Sequence, residues 1–341
     1  MTLLVAGDIG GTKTILRLID AAADGLSFQT LDEASYPSQQ YSGLVPIVRE
    51  FGARTPDRVP ERACLAVPGP VVDQTSQPSN LDWFLDAQAL ASALGMAQVR
   101  LINDFAAVCH GIRALEAADC ETLQPGCERA HAPIGVIGAG TGLGEGFLTP
   151  QGSSYQAFGT EGGHVDFAPR SDWEVALMHD LQRRLGIARV SAERVVSGPG
   201  IVAIYQFLRD RGEAAESPQV ADAVRQWERY RAGALSEPPP DPAAAIGQAG
   251  QDALSAQAMA RFFEAYGAEA GNWALKLLPF GGLYIAGGIA AKNRSLLRQS
   301  RFLAAFKDKG RLSPVLEQVP VRVITNQQVG LLGSVLYGTA G

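Results

Sequence analysis

Two apolar segments of the chain run into glycine-rich turns and then resume as apolar sequence. Residues 3–6 lead into Gly-Asp-Ile-Gly-Gly-Thr (7–12), and residues 15–19 follow. The pattern returns at residues 134–137, which lead into Gly-Ala-Gly-Thr-Gly-Leu-Gly (138–144). Short apolar runs on both sides of a glycine turn are typical of hairpins of buried strands. The recurrence predicts a duplicated α/β unit whose two glycine hairpins face each other across a cleft.

Both turns are candidate phosphate-binding sites, because backbone N–H groups converge on an anion only where side chains are absent. The spacing of residues excludes two other common phosphate-binding motifs. A Walker A loop requires glycine before its lysine, but Thr12 precedes Lys13. A dinucleotide fingerprint that starts at Gly138 requires glycine at position 143, which is Leu143. The candidate phosphate ligands are Gly10, Gly11, Thr12, Gly140, Thr141 and Gly142.

Asp8 follows the first apolar run and lies at the turn. A carboxylate there repels phosphate unless a cation bridges the two, so we expect Asp8 to hold Mg²⁺ through water. The alternative is a tight hairpin without a metal. Thr12 and Thr141 are expected to donate hydroxyl hydrogen bonds to phosphate. Lys13 either contacts phosphate or is a solvated lysine at a strand edge.

Asn103 and Asp104 end the apolar run 99–102 and precede a predicted helix. Polar residues between the carboxyl end of a strand and a helix lie where α/β sheets bind ligands. An aspartate at this position is also a common helix N-cap, and the spacing alone leaves both readings open.

Two further segments carry polar residues near glycine. Glu161 and His164 lie in the loop Glu-Gly-Gly-His, and Glu193 lies in Ser-Ala-Glu-Arg (191–194). Each has an ordinary alternative, an exposed turn for the first and a first-turn acid behind a Ser191 cap for the second. Their occurrence together with two glycine turns favours a polar binding site.

Composition restricts the class of partner. The 341 residues are 46% hydrophobic and 19% charged, which allows two lobes with a sizeable core. A net charge of −6 gives no general basic field for nucleic acid or an anionic membrane. No apolar stretch reaches the roughly 18 residues of a membrane span, and the four cysteines form no CxxC pair. We therefore expect a soluble, cytoplasmic protein with a small-molecule substrate and reduced thiols.

Strands alternate with helices along the chain, which predicts an α/β class. Residues 172–277 are expected to be mainly helical, with a proline- and alanine-rich surface connection at 236–245. A strand at 319–325 and a helix at 330–337 are expected to close the chain. The predicted domains are a small α/β domain, 1–108 plus about 318–341, and a large α/β domain with a helical insertion, 109–317.

Six segments together resemble the bacterial hexokinase-type glucokinases. They are DIGGT (8–12), INDF (102–105), GAGTGLG (138–144), EGGHVDFAP (161–169), SAERVVSGPG (191–200) and AGGI (286–289). The resemblance extends almost end to end, and the fourth and fifth segments are its most specific parts. DxGGT is shared with the wider actin-like ATPase superfamily. The resemblance implies a two-lobed ribonuclease H-like (actin-like ATPase) fold with the active site in the interlobe cleft.

The resemblance also implies an activity, the ATP-dependent phosphorylation of D-glucose at its 6-hydroxyl. Asp104 is then the catalytic base that accepts the hydroxyl proton. The implied sugar ligands are Asn80, Asn103, Asp104, Glu161, His164 and Glu193. The implied ATP and phosphate ligands are Asp8, Gly10, Gly11, Thr12, Lys13, Gly140, Thr141 and Gly142, with adenine near Gly287 and Gly288. Family members commonly form homodimers, so we expect a homodimer.

The chain departs from related sequences at two points. The repressor/kinase branch carries a cysteine cluster for structural zinc, whereas this chain has no cysteine after Cys127. We therefore expect no zinc site. Lys13 stands where some family members have asparagine, which leaves its role open.

Three alternative functions remain at this stage. The same scaffold serves kinases of other hexoses or N-acetylhexosamines. A sugar-responsive DNA-binding repressor would need a helix-turn-helix before the first hairpin, and we expect none within the ten residues available. An actin-like assembly protein or chaperone shares the DxGGT-type loops but has no need of Glu161, His164 and Glu193.

Overall fold

The structure, a computed structural model, describes residues 2–22, 27–78, 81–152, 154–250 and 252–340. Its chain divides into two compact units. The first comprises Met1–Cys120, Ala157–Gly159 and Asn326–Gly341, and the second comprises Glu121–Gln156 and Thr160–Thr325.

The strands confirm the apolar runs that the sequence analysis selected. They are β1 Thr2–Ile9, β2 Lys13–Ala21, β3 Phe28–Pro37, β4 Arg62–Val67, β5 Thr75–Ser76, β6 Leu85–Asp86, β7 Gln98–Asn103, β8 Cys120–Gln124, β9 Ile134–Ala139, β10 Leu143–Gln151, β11 Ser154–Thr160, β12 Leu283–Ala286 and β13 Val321–Ile324. The two glycine turns join β1 to β2 and β9 to β10, as expected of hairpins.

The helices are concentrated in the second unit. They are α1 Leu44–Gly52, α2 Ala87–Leu94, α3 Asp104–Gly111, α4 Asp172–Leu185, α5 Gly198–Asp210, α6 Pro218–Arg231, α7 Pro242–Gln248, α8 Ala253–Leu277, α9 Gly288–Lys292, α10 Arg294–Gln299, α11 Phe302–Lys307, α12 Ser313–Glu317 and α13 Val329–Thr339. The helical region expected at 172–277 is confirmed by α4 to α8.

One detail of that region was predicted wrongly. The connection expected at 236–245 ends earlier, because α7 begins at Pro242. Proline suits the first turn of a helix, where its missing N–H would have no intrahelical partner anyway. The Asp241 carboxylate caps the helix by accepting from the N–H groups of Ala243 and Ala244.

The two sheets repeat one succession of pairings. The first has the order β3-β2-β1-β4-β7, in which β1 is antiparallel to β2 and parallel to β4, and β4 is parallel to β7. The second has the order β11-β10-β9-β12-β13-β8, in which β9 is antiparallel to β10 and parallel to β12, and β12 is parallel to β13. The duplicated α/β unit predicted from the glycine turns is therefore present in the strand pairing.

The first sheet is buried on both faces, as expected for parallel central strands. Along β1, Val5 packs in a cluster with α1 and α2, while Leu4 and Ala6 pack in a second cluster with α3 and α13. The second sheet contributes to a larger cluster around the 25-residue helix α8. These cores fix the strand ends that carry the candidate site residues.

Helices α3 and α13 of the first unit cross with their backbones in contact. A Cβ on Gly333 would lie 1.7 Å from the carbonyl oxygen of Ala107, and one on Gly111 would lie 2.0 Å from that of Val329. Glycine is required at both positions because the neighbouring atoms are backbone and cannot move aside. This reciprocal contact holds α3, whose first residue is Asp104, against α13.

We expect Gly333→Ala to lower the midpoint of urea unfolding and Gly330→Ala to leave it unchanged or raise it slightly. Overpacking of this kind lowers stability by about 1–3 kcal/mol. This loss exceeds the gain of roughly 1 kcal/mol that alanine gives over glycine in a helix interior. Gly330 is the matched control, because it lies in the same helix and a Cβ there would be 3.7 Å from its nearest neighbour, Val108 Cγ2. Equal midpoints for the two variants would contradict the close crossing.

Candidate active site

The first glycine turn is braced by Ser38. The N–H of Gly10 donates to the carbonyl oxygen of Lys13 (2.9 Å), and a Cβ on Gly10 would lie 2.8 Å from that oxygen. The Ser38 hydroxyl donates to the carbonyl of Gly10 (2.7 Å), and its N–H donates to that of Thr12 (3.0 Å). The side chains of Thr12 and Lys13 are exposed. Ser38 thus fixes the backbone of the turn through its carbonyl groups, while the side chains of Thr12 and Lys13 remain exposed to solvent.

Asp8 lies on β1, two residues before this turn. Burial raises the pKa of its carboxyl group above the usual value, and the nearby Lys13 ammonium opposes that shift. Within the described ranges, no group of three or more histidine, cysteine, aspartate or glutamate side chains is arranged to hold a metal. The predicted role of Asp8 in holding Mg²⁺ through water stays a prediction.

The N-cap of helix α3 is Asn103, so Asp104 does not have the capping role that the sequence left open. Asn103 is the N-cap of α3, and its Oδ1 accepts from the N–H groups of Phe105 (3.0 Å) and Ala106 (2.9 Å). Its Nδ2 donates to the carbonyl of Gly69 (2.9 Å). Asp104 is the first helical residue, partly exposed, and its Oδ1 accepts from the N–H of Phe105 (2.8 Å). Both residues have fixed side chains at the carboxyl end of β7.

The second glycine turn is braced by α5 and by Glu193. The N–H of Gly198, the first residue of α5, donates to the carbonyl of Gly140 (2.8 Å). The Glu193 carboxylate accepts from the N–H of Leu143 (3.0 Å), and a Cβ on Gly142 would lie 2.4 Å from the same oxygen. Thr141 at the tip is exposed. Glu193 is thus more than a first-turn acid, since it contacts the phosphate-binding turn predicted for this unit.

Glu161 and His164 flank a single 3-10 turn, Gly162–His164. Their side chains are 63% and 59% exposed, and 3.9 Å separates Glu161 Oε2 from His164 Nε2. Both groups are therefore accessible to a polar ligand.

Backbone hydrogen bonds join this loop to the segment that carries Glu193. The N–H of Ala192 donates to the carbonyl of Val165 (2.9 Å), and that of Phe167 donates to the carbonyl of Val190 (2.9 Å). The second unit thereby brings together Glu161, His164, Glu193 and the second glycine turn.

Gly287 follows β12, beside the second glycine turn. Its φ is +88°, and a Cβ there would lie 2.4 Å from the carbonyl oxygen of Ala139, the last residue of β9. Glycine is required for both reasons. Gly288 begins α9. The predicted adenine contact at Gly287 and Gly288 therefore lies next to Gly140.

The predicted site residues fall in both units. The first unit holds Asp8, Gly10, Gly11, Thr12, Lys13, Asn103 and Asp104, and the second holds Gly140, Thr141, Gly142, Glu161, His164, Glu193, Gly287 and Gly288. Asn80 lies outside the described residues.

Sequence reasoning missed Glu145. It lies on β10 with its side chain fully buried, and a Cβ on Gly162 would lie 1.9 Å from its Oε2. Burial, and next the neighbouring Glu269 carboxylate, raise the pKa of Glu145 to about 7, while the Lys276 ammonium opposes the shift. The only signal in the sequence is a single acid between the second glycine turn and the apolar residues that follow it.

A cavity of about 210 Å³ in the first unit lies elsewhere. Residues of α1, α2, β1, β2 and the loop after α1 line it, and no predicted site residue does. It is therefore not part of the candidate site. Among the described residues, no helix has both the length and the apolar sequence that crossing a membrane requires.

Solved structures identify the class of protein. The chain superposes on a glucokinase from an Antarctic psychrotroph with a TM-score of 0.81 and 28% identity, over 100% of both chains. It also superposes on a glucokinase from Balamuthia mandrillaris solved in complex with glucose, with a TM-score of 0.78 and 21% identity over 100% and 94% of the two chains. The protein thus has the predicted actin-like ATPase fold of the sugar kinases.

Sequence relatives identify the family. The family model described as Glucokinase matches residues 5–340. Glucokinases from Nostoc punctiforme and Synechocystis are similar to this chain, the first at 54% identity over 98% of each chain, the second at 46% over 97% of this chain and 96% of its own. The chain belongs to the glucokinase family, as the resemblance in its motifs implied.

Replacing Glu145 with glutamine tests the raised pKa. The unfolded chain ionises this group near the ordinary value of 4.5, whereas the folded protein retains the proton up to about 7. The stability contributed by the bound proton is complete below about pH 4.5 and is lost as the pH rises to about 7. Relative to the wild type, Glu145→Gln should gain about 2–3 kcal/mol in free energy of unfolding between about pH 5 and pH 8.

Urea unfolding of both proteins at several pH values measures the difference. Glu237→Gln, at an exposed position before α7, serves as the control and should follow the wild type throughout. A constant difference between Glu145→Gln and wild type across this range would show that Glu145 ionises normally in the folded protein.

Proposed function

We propose that this protein transfers the γ-phosphoryl group of ATP to the 6-hydroxyl of D-glucose. One observation carries the proposal: the Glu193 carboxylate contacts the second glycine turn, and its segment is bonded to the loop that bears Glu161 and His164. Hydroxyl-binding side chains are thereby fixed beside an anion-binding turn. A sugar that receives a phosphoryl group requires that combination.

ATP is the proposed phosphoryl donor, and the two glycine turns are its proposed phosphate ligands. Exposed hydroxyls of Thr12 and Thr141 add donors at the tips of the turns. Asp8 is the proposed outer ligand of Mg²⁺, which when bound neutralises charge on the β- and γ-phosphate oxygens. The absence of side chains at Gly287 and Gly288 suits the approach of the flat adenine ring to the backbone.

Asp104 is the proposed base. It accepts the proton of the 6-hydroxyl as that oxygen forms its bond to the γ-phosphorus, and the bond from phosphorus to ADP breaks. The N–H of Phe105 orients the carboxylate, and Asn103 caps the helix on which it sits. A base held in this way needs little reorganisation during the reaction.

The sugar hydroxyls are proposed to bind Glu161, His164 and Glu193. Carboxylates accept hydrogen bonds from hydroxyls, and a histidine ring donates or accepts. A sugar that lacks the matching hydroxyl leaves one of these groups without a partner, and that loss is how such sites discriminate. Asn80 and Asn103 complete the proposed set, although the Asn103 amide already makes its capping bonds.

Comparing hexoses tests the substrate. We expect the highest kcat/KM with glucose when ATP turnover is measured across glucose, fructose, mannose, galactose, N-acetylglucosamine and N-acetylmannosamine. Preference for a different sugar in this set would show that glucose is not the substrate, but the proposed kinase activity would stand. ATP turnover that is independent of every sugar would support an actin-like ATPase instead.

Replacing Asp104 tests the base. Asp104→Asn keeps the size of the side chain and an oxygen that accepts from Phe105 N–H, but it cannot take up the proton. We expect kcat to fall by about a hundred-fold to ten-thousand-fold, with little change in the glucose dissociation constant measured by calorimetry. The exposed Asp57→Asn is the control. A kcat near that of the wild type would show that Asp104 is not the catalytic base.

The proposal extends to a homodimer in the cytoplasm. The homodimer follows from the family resemblance and the cytoplasmic location from the composition of the chain, and both are independent of the residues assigned above.

A further inference from the structure

Glu145 differs from two other buried acids of the second unit. Glu174 and Asp180 are also buried, but each pairs with arginine side chains. Both carboxyl oxygens of Glu145 are buried without a hydrogen-bond partner among the described residues. Burial without a partner strongly disfavours an ionised carboxylate, so the neutral, protonated form suits the site.

The Gly162–His164 turn covers this carboxyl group directly. A Cβ on Gly162 would lie 1.9 Å from Glu145 Oε2 and 2.7 Å from its Cδ. Thr160 joins the two segments, because its hydroxyl donates to the Glu145 carbonyl (3.1 Å) and accepts from the Gly162 N–H (3.1 Å). The turn between Glu161 and His164 therefore rests on Glu145 through both side-chain and backbone contacts.

The groups around Glu145 also disfavour a second negative charge. Glu269 and Lys276 act on it from α8, and the Tyr266 hydroxyl from the same helix bonds to β9. Lys276 is exposed, so solvent weakens its effect, whereas Glu269 is buried with one oxygen unpartnered. Glu269 also lines a cavity of about 10 Å³ beneath Phe167, farther along the same loop. Two carboxyl groups thus support one loop, and the Glu269 carboxylate disfavours a charge on Glu145.

We propose that protonated Glu145 is the positioning residue of the sugar-binding loop, and that its ionisation displaces Glu161 and His164 and weakens glucose binding. An ionised Glu145 must gain water, and the turn between those two residues lies directly against it. The bonds that hold this turn include His164 N–H to the Glu161 carbonyl (3.0 Å) and Arg189 Nη1–H to the His164 carbonyl (2.8 Å). Displacement of this turn moves both proposed sugar ligands, Glu161 and His164, whereas the hydrogen bond from the Leu143 N–H continues to hold Glu193.

The inference rests on the proposed sugar-kinase function and has a specific pH signature. If glucose binds only when Glu145 is protonated, KM for glucose rises above the pKa of about 7 and approaches about a tenfold increase per pH unit. The value of kcat at saturating glucose changes far less, because bound glucose restores the protonated state.

Two variants separate this effect from other titrations. Glu145→Gln cannot ionise, so its KM for glucose should stay nearly constant from about pH 7 to pH 9, where wild-type KM rises. Glu269→Gln removes the neighbouring charge and should lower the pKa of Glu145, which moves the rise in KM to more acidic pH. The exposed Glu237→Gln is the matched control and should follow the wild type.

The direction in which Glu269→Gln shifts the KM profile follows from the negative charge that the substitution removes. A neighbouring carboxylate raises the pKa of Glu145, so its removal makes Glu145 ionise at lower pH in the folded protein. The rise in KM then begins at more acidic pH than in the wild type.

Hydrogen exchange gives a readout that is independent of catalysis. After correction for the intrinsic pH dependence, amides of residues 162–165 should lose protection above about pH 7 in the wild type and keep it in Glu145→Gln. A KM profile shared by Glu145→Gln and wild type, or equal protection in both, would overturn the inference. Absence of sugar turnover in every protein would instead overturn the proposed function, and the exchange measurement would still decide the role of Glu145.

Discussion

The hydrogen bond from the Leu143 N–H to the Glu193 carboxylate links the two kinds of proposed binding residue in the second unit. Leu143 is the first residue after the glycine turn, and a Cβ on Gly163 would lie 2.1 Å from its carbonyl oxygen. One strand residue therefore touches the segment of Glu193 on one side and the loop of Glu161 and His164 on the other. Small changes at this strand end would alter the proposed phosphate and sugar ligands together.

The duplicated hairpins are similar in strand pairing but differ in how they are supported. The serine after β3 braces the first turn through two hydrogen bonds to carbonyl groups. The second is braced by the first N–H of α5 and by a carboxylate. Both leave the tip exposed, which is the condition for backbone N–H groups to meet an anion. The repeated feature is the hairpin, and each unit supplies its own support.

Much of this arrangement could be predicted because it depends on local pattern. Apolar runs beside glycine gave β1, β2, β9 and β10, and the motifs singled out Glu161, His164 and Glu193. Strand β3 was missed because its sequence is largely polar and exposed, as befits the edge of a sheet. The capping role of Asn103 and the burial of Glu145 depend on partners distant in sequence, such as Gly69 and Glu269. Pattern alone carries no information on those contacts.

The crossing of α3 and α13 has a consequence for the order in which the protein matures. During synthesis, residues 104–111 leave the ribosome about 200 residues ahead of residues 329–339, while folding proceeds from the N-terminal side. The sheet that carries Asp104 is complete early, yet the helix that begins at Asp104 must wait for Gly333 to reach Ala107. A nascent chain therefore carries α3 without its contact to α13 until residues 329–339 are made, and the helix that begins at Asp104 lacks this support throughout that interval.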